Sequence, residues 1–220
     1  MILTPVDRAD LPGLLSGFDA ALAAEPLALA VFRRVTAVVP DSDLLTLSTD
    51  AGHHAQALEL CREFGFGLVD VDPQTYFTWD GAAVATRMEP SVIIHEVGHF
   101  QCAAPSRRPV LDFGLGAGPE TGRKAEANAV QTVFAADGDF EEGLSSLLGI
   151  LWEAELGQPA ILAFLEQNWL EGGMSLHNLA HFRKVVGLLA AWGLIDAVGR
   201  PTRGMRPIED AEFFRLWRSL

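Results

Sequence analysis

Two cysteines, Cys61 and Cys102, are too few for a disulfide framework in a chain of 220 residues, and a reducing cytoplasm is the setting they suit. Basic residues are scarce as well: 16 Lys and Arg stand against 29 Asp and Glu, a formal charge of −13. That balance excludes a general binder of nucleic acid or of anionic membrane, since both need a basic face. The longer uncharged apolar runs, such as Val185 to Ile195, fall short of a membrane span. The first residues carry no basic region leading into an apolar core, so no signal peptide is expected. No internal repeat or low-complexity linker divides the chain. What is present is 49% hydrophobic residues, enough to bury a real core in one domain over residues 1–220.

Apolar periodicity predicts helix over residues 10–35 with a break at Pro26, helix from His53 to Phe64, and short strands at Thr36–Pro40 and Leu44–Ser48. Further strands are predicted at Leu68–Val71, Tyr76–Trp79 and Ala82–Arg87, with turns at Asp72-Pro73 and Asp80-Gly81. Asn128 to Ala135 suits either strand or helix. Beyond it, Phe140–Leu156, Pro159–Trp169, Leu176–Leu194 and Glu209–Leu220 read as helices. The fold class is therefore α+β, mainly helical with a small N-terminal sheet. A site core at 90–172 is followed by a helical extension at 173–220.

The densest chemical signal is His95-Glu96-Val97-Gly98-His99. On a helix, residues four apart share a face one turn apart, so two imidazoles there can hold one metal ion while the intervening glutamate serves as a base. A chain of this composition contains such a pattern by chance only about once in a hundred sequences. Pro90 suits a first helical turn, Val92, Ile93, Ile94 and Val97 supply an apolar body, Gly98 permits close approach, and Pro105 closes the segment.

Two histidines rarely suffice, and a carboxylate is expected as third ligand. Glu142 opens a long helix whose same-face positions, Ser145, Ser146, Gly149 and Glu153, are mostly small, which suits packing against His95 and His99. Glu126 is the rival, Glu153 a further possibility, and Asp112 a carboxylate suited to orienting a histidine. Arg107 and Arg108 suit a clamp on a substrate anion or, equally, a structural salt bridge such as one with Asp112; with Asp112 they are the residues expected at the substrate. Cys102 reads as a buried apolar residue, and His177 and His181 as packing or surface histidines. The glycine-rich run from Asp112 to Pro119 lacks the strand context of a phosphate loop and reads as a loop packed beside the metal helix.

The run His95-Glu96-Val97-Gly98-His99-Phe100, with Cys102-Ala103-Ala104, Arg107-Arg108, Asp112-Phe113-Gly114 and the later Glu142 and Gly157-Gln158-Pro159, resembles the bacterial elongation factor P hydroxylase family. Asn168 to Gly172 loosely echoes a later segment, and the similarity covers about residues 90–172. The chain departs from that family at Leu115 and Gly116, where aromatics are expected, and over Gly143 to Ser146. The resemblance implies a hydroxylase of a modified lysine, with Fe(II) held by His95, His99 and Glu142. The stretch Glu126-Ala127-Asn128-Ala129 is in turn similar to short cytoplasmic zinc peptidases, which implies Zn(II), Glu96 as general base and Glu126 as ligand. A noncatalytic metal-binding protein is the third reading. The substrate is expected to be a protein or a small molecule.

Overall fold

The computed structural model describes residues 6–41, 45–170 and 175–218. Helices α1 (Leu11–Ala21) and α2 (Pro26–Val35) divide at Pro26, which opens α2, where a missing N–H costs nothing. Helix α3 (Ala51–Glu63) is capped by Asp50, whose carboxylate accepts from the amides of Gly52 and His53 at 2.7 and 3.0 Å. Two three-residue strands follow, β1 (Gly67–Val69) and β2 (Ala83–Ala85), paired in parallel with Leu68 opposite Val84.

Three predicted strands do not form. Tyr76–Trp79 contributes only an isolated bridge from Trp79 to Val84, because side chains take its backbone donors. The amide of Thr78 donates to Thr121 Oγ1 and that of Trp79 to Asp112 Oδ1. Thr36–Pro40 begins as the exit from α2, with Thr36 Oγ1 donating back to the Phe32 carbonyl at 2.8 Å. Leu45–Ser48 runs irregularly into the α3 cap, where Ser48 Oγ meets His53 Nδ1 at 2.7 Å; Leu44 lies outside the described residues.

The remaining elements are helical: α4 (Pro90–Cys102), α5 (Lys124–Ala129), α6 (Ala135–Glu155), α7 (Ile161–Glu166), α8 (Leu176–Ala191) and α9 (Asp210–Arg218). Thus the ambiguous stretch at 128–135 ends α5 and leads irregularly into α6. The fold is mainly helical with one small parallel sheet. Among the described residues, no helix is long and apolar enough to cross a membrane.

Helix α4 lies at the centre, with α6 on one side and α3 on another. Ten of its thirteen residues are buried, so the apolar body read from the sequence is consumed on nearly every face. A second focus is the phenylalanine cluster of Phe18, Phe32, Phe164 and Phe182, which joins α1, α2, α7 and α8. The residues predicted as an extension share this core: Phe182, Val185, Leu189 and Phe213 are fully buried within it.

The α4–α6 contact is made backbone to backbone. A Cβ placed on Gly98 would fall inside contact distance of the Ser145 carbonyl oxygen, and one on Gly149 would lie 3.1 Å from His95 Cα. Gly98→Ala is therefore expected to force the helices apart, at a cost of about 1–3 kcal/mol typical of overpacking. Chemical denaturation should show the loss, while Gly138→Ala, where a Cβ meets nothing within 4 Å, should leave the midpoint near wild type.

Candidate metal centre

One turn of α4 brings the two histidines together: the rings of His95 and His99 are 4.5 Å apart and perpendicular. Both Nε2 atoms point to one carboxylate, with His95 Nε2 3.1 Å from Glu142 Oε1 and His99 Nε2 3.3 Å from Glu142 Oε2. The ligand atoms of His95, His99 and Glu142 lie within 4.8 Å of one another, and no other such group occurs among the described residues. The histidines are largely covered, whereas 54% of the Glu142 side chain meets solvent, so the group stands at the wall of a cavity. Both Nδ1 atoms are buried and have no hydrogen-bond partner. Two imidazole nitrogens and one carboxylate gathered on one side are a donor set that could hold a divalent metal ion.

A protonated imidazole at this position pairs with the Glu142 carboxylate. Burial disfavours a charged His99 imidazole, but Glu142, helped by Glu96 and Glu141, outweighs it and raises the pKa to about 9. Burial likewise opposes the Glu142 carboxylate, and the two imidazoles overcome it, keeping that carboxyl well below its usual range. Metal binding at such a site must release the imidazole proton. Glu96 behaves oppositely. Burial, opposed by His99 and reinforced by Asp112, Glu142 and Glu120, pushes its pKa up to about 8.

The three residues open on a cavity of about 450 Å³. Among the described residues, six carboxylates line it (Glu96, Asp112, Glu120, Asp139, Glu142 and Glu166), and no lysine or arginine does. The glycine-rich loop forms one wall through Leu115 to Pro119. Asp112 and Phe113 in that loop are held at φ 41° and 53°, the left-handed region that residues other than glycine seldom adopt. Phe113 lies nearly parallel to His99 at 5.7 Å and stacks on Trp79 at 5.2 Å, so two aromatic rings shield that face of His99. No pattern in the sequence pointed to this Trp79–Phe113–His99 stack. Nor did any mark Glu120 and Asp139, which read there only as acids on an acidic chain.

Among the other residues expected at the site, Asp112 reaches the cavity wall. Both of its oxygens are engaged, accepting from Thr78 Oγ1 at 3.0 Å, Thr121 Oγ1 at 2.7 Å and the Trp79 amide at 3.3 Å. It makes no hydrogen bond to a histidine. Arg107 and Arg108 require correction, since neither lines the cavity. Arg107 is buried and spends its donors on Glu141, Asp210 and the Phe113 carbonyl. Arg108 donates to the carbonyls of Phe100 and Arg206. Glu126 is half exposed on α5, in an ion pair with Arg123, and stands apart from the histidines.

Cys102 is buried, and burial, with Glu141 nearby, pushes its thiol up to about 12, so it is an inert apolar residue. His181 stacks on Trp169 at 5.1 Å, and His54 Nε2 meets the Thr86 carbonyl at 2.7 Å. Glu153 is buried and outside the ligand group.

Comparison with protein-family models, with curated proteins and with solved structures finds no match for this chain.

Burial alone raises the Glu153 carboxyl well above its ordinary value of 4.5. A group whose folded pKa is raised gives stability that is complete below the unfolded pKa and lost as pH rises toward the folded one. Glu153→Gln should therefore melt close to wild type near pH 4. From about pH 5 upward it should melt increasingly higher than wild type, a difference readable from thermal melts across pH.

Proposed function

We propose that the chain is a metal-dependent enzyme in which His95, His99 and Glu142 hold one divalent ion. Fe(II) and hydroxylation of a side chain on a protein or related substrate are the favoured chemistry. The observation that carries this reading is the convergence of Glu142, rather than Glu126, on both histidines. Two histidines and one carboxylate gathered on one side suit an iron site with open positions for dioxygen and substrate. When bound, the ion supplies activation of dioxygen if it is iron, or polarisation of water and carbonyl groups if it is zinc.

The chain's own groups then have separable tasks. Phe113 and Trp79 exclude water from one face of His99. Glu96, buried at the cavity wall with a pKa near 8, is placed to hold or release a proton at its carboxyl oxygens at working pH. The carboxylate lining draws a cationic group inward and repels anions, which agrees with the modified lysine that the resemblance implies. Zinc-dependent hydrolysis is the second reading. It is favoured by the place of Glu96 in the cavity wall beside the histidines, the arrangement a general base for water requires.

Elemental analysis of untagged protein purified without oxygen tests the reading. One ion per chain is expected in wild type and in Glu126→Ala, and none in His95→Ala or Glu142→Ala. Iron accompanied by substrate-dependent oxygen uptake supports the hydroxylase, and zinc with peptide or amide cleavage the hydrolase. Glu96→Gln should keep its metal and lose turnover by about 100-fold or more. A wild-type protein that takes up neither Fe(II) nor Zn(II) on reconstitution would sink both enzymes.

A further inference from the structure

The two arginines of the cluster behind the site, Arg107 and Arg206, are buried together with Glu141, while Asp210 is partly covered. Arg107 is the branch point. Its Nη1 donates to the Phe113 carbonyl at 2.6 Å, its Nη2 to Glu141 Oε2 at 2.5 Å, and its Nε to Asp210 Oδ2 at 2.7 Å. Arg206 donates to the same Glu141 oxygen at 3.0 Å and to Asp210, and lies 3.7 Å over the Phe213 ring. Two guanidinium groups thus face two carboxylates.

Each acceptor of Arg107 belongs to a part that the metal centre needs. Glu141 precedes Glu142 in the first turns of α6, so fixing one fixes where the other starts. The Phe113 carbonyl belongs to the loop held in left-handed conformation, a strain that persists only where surrounding contacts enforce it. That loop also packs on the arginine stem: a Cβ on Gly114 would lie 3.3 Å from Arg107 Cδ. Asp210 opens α9 near the end of the chain. The arm that carries it is tied to α4, through Gln101 Nε2 to the carbonyls of Thr202 and Gly204 and the Arg206 amide to the Gln101 carbonyl.

From this geometry we infer that Arg107, braced by Asp210, is a positioning residue of the metal centre. Four hydrogen bonds to three partners set Phe113 against His99 and Glu142 against both histidines as one unit. The inference rests on the metal-site reading for its consequence, though not for its geometry. A lysine cannot serve in place of the arginine, because one ammonium keeps the charge but does not span three acceptors held in a planar fork.

The test compares Arg107→Lys with Arg206→Lys. Both keep the cluster's charge, and only the first loses the bond to the Phe113 carbonyl. Two readouts are taken: Zn²⁺ affinity by chelator competition, and the proton shift of His99 Cε1–H in metal-free protein, which senses the ring current of Phe113. Arg107→Lys is expected to weaken Zn²⁺ binding at least tenfold and to move the His99 signal. Arg206→Lys, at a comparable melting temperature, should stay within about twofold in affinity and leave that signal in place. Equal effects of the two variants, or an unmoved His99 signal in Arg107→Lys, overturn the inference. Should Arg107→Lys fail to fold, Asp210→Asn carries the same two readouts, because it loosens only the partly exposed partner. If wild type binds no Zn²⁺, the metal reading fails by itself, and the His99 signal still decides whether Arg107 sets the loop.

Discussion

Everything at the site depends on how closely α4 and α6 approach. Gly98 and Gly149 remove the side chains that would hold the helices apart, and each backbone passes within contact of the other. Only at that separation does a glutamate on α6 reach both imidazoles of a neighbouring helix. The small residues are thus a condition of the chemistry as well as of the packing. The turn of about 100° between successive helix residues separates two adjacent glutamates: Glu142 turns to the histidines, and Glu141 turns inward to the arginines.

Electrostatics around this contact are arranged in two compartments. On the cavity side, burial raises the Glu96 carboxyl to about 8, while Glu142 outweighs burial and raises His99 to about 9. Behind it, two buried arginines balance the buried Glu141 and the partly exposed Asp210. Isolated buried charges are costly, and such groups persist only when paired. The front compartment has a surplus of carboxylates, whereas the rear one pairs its carboxylates with arginines.

Much of this was legible in the chain. The histidine pair, the intervening glutamate and the helix that carries them follow from a four-residue spacing inside an apolar segment that begins at a proline. Glu142 stood out among the acids through the small residues on its own face. The strands were less legible, because Tyr76–Trp79 has strand composition but gives its amides to Thr121 and Asp112, partners some forty residues away. Arg107 and Arg108 misled for a related reason. Arginines beside a site suit an anion clamp as well as a buried brace, and only their acceptors distinguish the two.

The sequence by itself determined the local periodicities, the ligand-bearing helix, the acidic balance and the small residues that allow two backbones to meet. Each is a property of residue type and short-range spacing, which chain stiffness and burial convert directly into structure. The tertiary structure alone decided which of several glutamates faces the histidines, which arginines are spent inside, and where Phe113 lies. Those choices depend on contacts between segments 30 to 100 residues apart, as with Arg107, which meets Glu141 and Asp210 from 34 and 103 positions away. No local rule encodes such pairings, because they are selected by the simultaneous packing of all the helices.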